Sequence, residues 1–282
     1  MERTIDVNGI TLGVRTAGRP EDPAVLLLHG AGQSLLAWEQ EFVDRLVAGG
    51  RHVVAVDARD TGRSTSFPVG QPPYGLRDLV ADAAALIEAL GLARVHVVAL
   101  SQGSAVAQLL ALDHPERVAT LTLAAATPGG PGHEQPDLPP MADHILALFT
   151  EEAPAPDWSS REAVIEYLVE GERPYAGDRF DPAGSRAAAE RTYERTRDLA
   201  AQLTNPFLID PGKPWRDRLG EITAPTLVVH GSQDPLFPLG HAEALTAEIP
   251  GARLLVLDGV GHEIFPRHTW DAVVPAILAH TS

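Results

Sequence analysis

The chain has no cysteine, only two methionines, and aromatic residues amount to 5%. Without cysteine there is no disulfide, no thiolate metal site and no cysteine nucleophile, while the redox compartment stays open. Basic residues are also in short supply: 22 Lys and Arg stand against 38 Asp and Glu, a formal net charge of -16. Such a surface repels phosphate backbones and anionic lipid, so neither nucleic acid nor a membrane is expected as a partner. No stretch approaches the ~20 apolar residues of a bilayer-spanning helix. Met1–Asp6 has no apolar run of the kind a secretory signal requires, and a cytoplasmic protein is the expectation. His133, His144 and His241 show no ligand spacing, so no metal is expected.

What is present is length and order. A chain of 282 residues, 44% hydrophobic and 21% charged, has the composition of an ordinary globular protein. Thr4–Val7, then Asn8-Gly9, then Ile10–Thr16 reads as a hairpin, with Asn-Gly supplying the two positive φ angles of a tight turn. Short apolar runs of strand length follow at Ala24–Leu28, His52–Val56, Val95–Leu100, Val118–Ala125, Thr226–His230 and Arg253–Leu257. Between them, apolar residues recur at helical spacing: Leu35 to Leu46, Leu76 to Leu90, Ala105 to Leu112 and Trp270 to Leu278. Strand and helix in alternation imply an α/β fold whose sheet is mostly parallel and doubly wound.

After Thr127 the pattern breaks. Pro128-Gly129-Gly130-Pro131-Gly132 and Pro136 to Pro140 cannot continue a sheet. Helices are expected at Met141–Phe149, at Ser159–Val169 behind a Ser159…Glu162 capping box, and at Asp181–Leu203 with Asp181-Pro182 as cap and first turn. The last is polar almost all round and belongs on the surface. Residues 128–220 therefore read as a helical cap inserted after the sixth strand, between core portions 1–127 and 221–282.

The chemistry lies where strands end. Val95–Leu100 stops at Ser101 between small residues, and a helix begins at once. That is the setting of a nucleophile elbow, in which the serine is lifted out of the backbone above helix amides. Asp234 follows the Thr226–His230 strand and His262 follows the Arg253–Leu257 strand. A serine hydroxyl is nearly inert at neutral pH; it needs an imidazole to take its proton and a carboxylate to orient that imidazole. No carboxylate closely follows Val118–Ala125, so Asp234 has no obvious rival. A tetrahedral intermediate also needs two fixed N–H donors. One is expected from Gln102 at the helix start, the other from Ala31 in the His29-Gly30-Ala31-Gly32-Gln33 loop. His29 is read as shaping that loop, Asp57, Arg59, Asp60 and Arg63 as a structural network, and Glu263 as solvated.

With His29-Gly30, Asp57…Gly62-Arg63-Ser64, the serine elbow, Asp234 and His262 in place, the chain resembles the α/β-hydrolase superfamily over nearly its full length. The stretches His52–Val54, Asp60–Ser64, Pro73-Tyr74-Gly75 and Asp234 to His262 are most similar to methyl-ester hydrolases of aromatic polyketide biosynthesis, anthracycline-type compounds among them. The resemblance implies a serine esterase without cofactor, acting on a hydrophobic small-molecule ester. The same triad would also serve lactone hydrolysis, perhydrolysis or C–C hydrolysis, and a scaffold of this kind can act as a binding protein with little turnover. Gly30, Phe149, Phe237 and His241 are the candidate substrate contacts. Met141, Ile145, Leu148, Tyr167, Leu168, Phe207 and Leu208 are further candidates for an apolar wall. Two positions depart from the family pattern: Ala99 stands where the elbow has glycine, for which slight strain is expected, and Gln102 where the polyketide esterases have methionine.

Overall fold

The computed structural model describes residues 1–130, 132–151 and 154–282; Pro131, part of the expected boundary, lies outside them. Asn8 and Gly9 adopt φ of 48° and 77°, as a two-residue hairpin turn requires. They join β1 (Glu2–Val7) to β2 (Ile10–Ala17) in antiparallel register. β2 pairs antiparallel with β4 (His52–Val56). From there β3 (Ala24–Leu28), β5 (Val95–Leu100), β6 (Val118–Ala124), β7 (Thr226–Gly231) and β8 (Arg253–Leu257) extend the sheet in parallel.

The spatial order is β1-β2-β4-β3-β5-β6-β7-β8. After β3 the chain moves to one side for β4 and returns to the other for β5. The loops leaving the carboxyl ends of β3 and β5 therefore part from each other, which opens the crevice where open parallel sheets carry their sites.

Each sheet face has its own core. α1 (Gln40–Ala48) and α9 (Trp270–His280) cover one, with Phe42, Leu46, Trp270 and Ile277 buried there. α2 (Leu76–Ala89), α3 (Gln102–Asp113) and α8 (Gly240–Glu248) cover the other with Leu86, Leu109 and Leu245. Each such side chain fully withdrawn from water is worth about 1.5–3 kcal/mol. The doubly wound reading is correct in both layers. α8 lies outside the helices that periodicity marks, and the helix expected from Leu35 begins at Gln40, with Leu35–Ala37 forming a separate 3-10 turn.

Between β6 and β7 lie α4 (Asp143–Thr150), α5 (Arg161–Glu172), α6 (Pro182–Arg195) and α7 (Leu199–Thr204). α5 is capped by Ser160, whose hydroxyl accepts the Ala163 N–H at 3.3 Å. Ser159 is instead held by Asp157, which accepts both its N–H (2.9 Å) and its hydroxyl (2.6 Å), so the expected cap shifts by one residue. α6 opens as expected, with the Asp181 carboxylate accepting from Gly184 N–H at 3.0 Å. The single helix expected over Asp181–Leu203 is two helices, because Asp198 accepts the Ala201 N–H (2.9 Å) and caps a new one. α6 carries surface ion pairs such as Arg186–Glu162 at 2.7 Å, worth about 1 kcal/mol or less. Its last residue, Arg195, reaches inward to Asp57 (2.7 Å) and Glu2 (2.6 Å). The Asp57–Ser64 loop is the network expected: Arg59 forks onto Asp82 (2.6 and 2.9 Å), and Asp60 accepts from Phe67 N–H and Tyr74 OH. No helix among the described residues is long and apolar enough to cross a membrane.

Candidate active site

Ser101 sits between β5 and α3 with φ 51° and ψ -116°. A residue other than glycine in that region costs roughly 1–3 kcal/mol, so the surrounding structure must impose it. The imposition is visible. The Ser101 N–H is held by Ala124 O at 2.9 Å, and Ser104 Oγ donates to Ala99 O (2.9 Å) and Ala124 O (3.0 Å). At Gly103 a Cβ would lie 2.6 Å from the carbonyl oxygens of Leu28 and His29, so only glycine lets α3 start this close to β3. Ala99 keeps a regular strand register opposite Leu28 and Leu123. Ala99 is not among the residues with positive φ; Ser101 is.

β5, β7 and β8 run parallel, so the loops beyond their carboxyl ends face the same side, and three distant residues meet there. His262 Nε2 lies 3.0 Å from Ser101 Oγ, and His262 Nδ1 lies 2.8 Å from Asp234 Oδ2. The other carboxylate oxygen, Asp234 Oδ1, accepts the N–H groups of Leu236 (2.9 Å) and Phe237 (2.8 Å). Burial opposes ionisation of Asp234, but the charge and hydrogen bond of His262, with His230 and Phe237, outweigh it and hold the carboxyl below its ordinary range. Because Asp234 only accepts, Nδ1 of His262 carries the proton and Nε2 is free to receive one from Ser101.

Ala31 and Gln102 line the same cavity as Ser101. Among the described residues no carbonyl accepts the backbone N–H of either. The Ala31 loop is braced from behind. Ala58 N–H donates to His29 Nε2 at 3.2 Å, which leaves the Nδ1 proton for Gly30 O at 2.8 Å. Burial lowers the His29 pKa and keeps that ring neutral. From α7, the buried Gln202 donates to Gly32 O (3.0 Å) and accepts the Gly62 N–H (2.9 Å). The Gln102 side chain donates to Pro206 O at 2.7 Å.

A cavity of about 760 Å³ opens in front of Ser101. Phe149, Phe207, Phe237 and Met141 line it, as does His241. Phe237 is buried and stands edge-on to the His262 ring, with 5.3 Å between centroids. His241 presents a flat wall, since both of its nitrogens are engaged by Thr127 Oγ1 (2.9 Å) and Pro139 O (2.8 Å). Gly30 does not reach the cavity: it is buried beside Ser101, its N–H donating to Gln33 Oε1 at 3.1 Å. Ile145 is fully buried, Leu168 packs with the small α5–α6 core, and Leu148, Tyr167 and Leu208 face solvent.

Two residues of this neighbourhood are not legible as such in the sequence. Gln202 has no motif around it; only its place in the fold brings it to the Gly32 loop. Glu263, expected in solvent, accepts the N–H groups of Gly177 (3.0 Å) and Gly261 (3.1 Å). It thereby clips the α5–α6 connection onto the His262 loop, alongside the His262 N–H bond to Tyr175 O at 2.7 Å. Its position next to His262 was the available signal.

Comparison with known proteins agrees with this architecture. Residues 23–269 match the α/β-hydrolase fold family. The chain is 32% identical to the rhodomycin D methylesterase of Streptomyces sp. (strain C5), over 99% of this chain and 97% of the relative. It is 30% identical to the 2-hydroxy-6-oxo-6-phenylhexa-2,4-dienoate hydrolase of Burkholderia cepacia, over 92% of this chain and 88% of that one. Among solved structures, a hydrolase from Pseudomonas aeruginosa PA01 is similar at a TM-score of 0.75 and 26% identity, covering 99% of this chain and 97% of that one. The chain belongs to the α/β-hydrolase fold family and is a hydrolase.

Proposed function

We propose that this enzyme cleaves a carboxylic ester by nucleophilic catalysis, with Ser101, His262 and Asp234 as the triad. The observation that carries the reading is the continuous relay Asp234–His262–Ser101, at 2.8 and 3.0 Å, opening onto an apolar cavity. Ser101 Oγ attacks the ester carbonyl while His262 Nε2 takes its proton. The oxyanion faces the N–H groups of Ala31 and Gln102. His262 then protonates the departing alcohol and a serine ester of the acid remains. Water, deprotonated by the same nitrogen, attacks that ester and releases the acid.

The substrate proposed is a methyl ester of a hydrophobic, polyketide-like compound. The similarity to a rhodomycin D methylesterase supports it. So does the cavity: 760 Å³ lies within the roughly 300–1,000 Å³ of sites that hold drug-sized molecules. The strongly acidic surface supports a small-molecule partner over nucleic acid or a membrane. We further propose that residues 128–220 act as the cap that excludes water from the acyl-enzyme.

A second reading, hydrolysis of a C–C bond in a 2-hydroxy-6-oxo dienoate, has the Burkholderia cepacia relative in its favour. Assaying methanol release from polycyclic methyl esters, lactone opening and dienoate bleaching on one preparation separates the readings. Methyl esters are expected to give the highest kcat/KM, and Ser101→Ala to lower kcat by roughly 10⁶. Substantial turnover by that variant overturns the triad assignment.

A further inference from the structure

A second histidine touches the acid of the relay. His230, near the end of β7, is buried, with its side chain fully withdrawn from solvent. Its Nε2 lies 2.7 Å from Phe237 O and 3.4 Å from Asp234 Oδ2, the oxygen that also accepts from His262. A carbonyl oxygen only accepts, so Nε2 of His230 carries a proton. Nδ1 is buried and has no hydrogen-bond partner among the described residues. The sign of its titration agrees: burial comes first and lowers its pKa, against the pull of Asp234.

We infer that His230 is a positioning residue for the reaction. Its single N–H is donated to Phe237 O and fixes the turn that holds Phe237 against the His262 ring, and the same polarised Nε2 stands 3.4 Å from Asp234 Oδ2, where it bears on the charge of the triad carboxylate without a hydrogen bond to it. The inference rests on the triad reading above. Two consequences follow from the geometry. Asp234 Oδ2 has two nitrogen neighbours, so it presses less strongly on His262 than a carboxylate with one. The turn from Asp234 to Phe237 is closed from both sides, by Asp234 Oδ1 on two backbone N–H groups and by His230 on the Phe237 carbonyl. The titratable groups facing His230 are Asp234 on its own loop, His262 beyond β8 and His241 on α8. A proton added to His230 would land on Nδ1, where no described acceptor waits. The residue is therefore a fixed donor across the working pH range.

The test compares His230→Leu and His230→Gln with the wild type and Ser101→Ala, all on the full chain. Gln carries an N–H at nearly the reach of Nε2; Leu carries none. His230→Leu is expected to lower kcat about tenfold, with KM changed less than about twofold. It is also expected to raise the acid limb of the kcat/KM profile by roughly half a pH unit, because all of the Asp234 charge then bears on His262. His230→Gln is expected to recover most of kcat and the original limb. A purely structural role would lower Tm and active fraction together and leave the limb in place, and that result overturns the inference. So does a wild-type kcat and profile in His230→Leu. If Leu does not fold, the Gln variant decides through the His262 Nδ1 proton resonance, which must stay at the wild-type position; a displaced resonance overturns the proposal. Residual turnover by Ser101→Ala removes the triad reading and this inference with it, whereas a dead Ser101→Ala beside an unchanged His230→Leu removes only the inference.

Discussion

Two walls of the same cavity are built in opposite ways. The stretch 199–208 is bound into the core by buried polar side chains. Gln202 and Asn205 are 1% and 0% exposed. Gln202 spans the Gly32 and Gly62 loops, and Asn205 bonds Asp60, Pro68 O and the Gly70 N–H. Among the described residues, the other wall, 133–150, has no buried polar side chain of its own. Arg216 forks onto Asp137 (2.7 and 2.8 Å), an ion pair in which Asp137 is 60% exposed, and the backbone is tied by Ala142 N–H to Pro235 O (2.8 Å) and by His241 to Pro139 O (2.8 Å). Leu146, Leu148 and Phe149 stay about half exposed. One wall is thus part of the frame that holds the Gly32 and Gly62 loops. The other lends Met141 and Phe149 to the cavity lining and has no bond to those loops among the described residues.

The largest effect expected on this comparison is at Gln202. Gln202→Ala leaves Gly32 O and the Gly62 N–H without partners, at a cost of about 1–3 kcal/mol for each unsatisfied group. Loosening of the Ala31 loop should also lower kcat by about tenfold or more. A denaturant melt with steady-state kinetics measures both; a variant with unimpaired kcat would uncouple the 199–208 wall from the oxyanion loop.

Acid sensitivity comes next, and it belongs to the frame. His29, His96, His230, His241 and His280 all have pKa values lowered, in each case chiefly by burial, and His96 falls to about 4. A histidine kept neutral in the folded state takes up its proton first in the unfolded chain. Its contribution to stability is complete above the unfolded pKa of about 6.5 and is lost as pH falls toward the folded value. Tm should therefore drop by several degrees between pH 7 and pH 5. A flat Tm over that interval would contradict the neutral histidine core.

The smallest effect is expected at the outer wall. Asp137→Ala removes an exposed ion pair while Glu248 still holds Arg216 at 2.6 Å. Stability should change by less than about 1 kcal/mol. KM, not kcat, should register the shift of the wall; a large fall in kcat would erase the distinction between the two walls.

The frame was far more legible in sequence than the segment between β6 and β7. Strands such as Ala24–Leu28 and Val95–Leu100 are buried on both faces and so read as unbroken apolar runs. Asn8-Gly9 and Asp181-Pro182 declare their turn and cap because the backbone there demands those residues. Ser101, Asp234 and His262 stood out because each follows a strand. α8 stayed hidden, since its buried face is short: His241, Ala242 and Leu245 only. The break between α6 and α7 was hidden because Asp198 looks like one more surface charge until it caps Ala201. Gln202 reaches Gly32 and Glu263 reaches Gly177, each more than 80 positions away, and no local pattern encodes a bond over that distance.

The most direct test of the central claim is labelling of the native enzyme with a fluorophosphonate, followed by peptide mass spectrometry. The relay of Asp234, His262 and Ser101 requires one adduct, on Ser101, formed together with loss of esterase turnover and absent from Ser101→Ala. An unlabelled Ser101 in active enzyme, or an adduct on another residue that tracks the loss of activity, would contradict it.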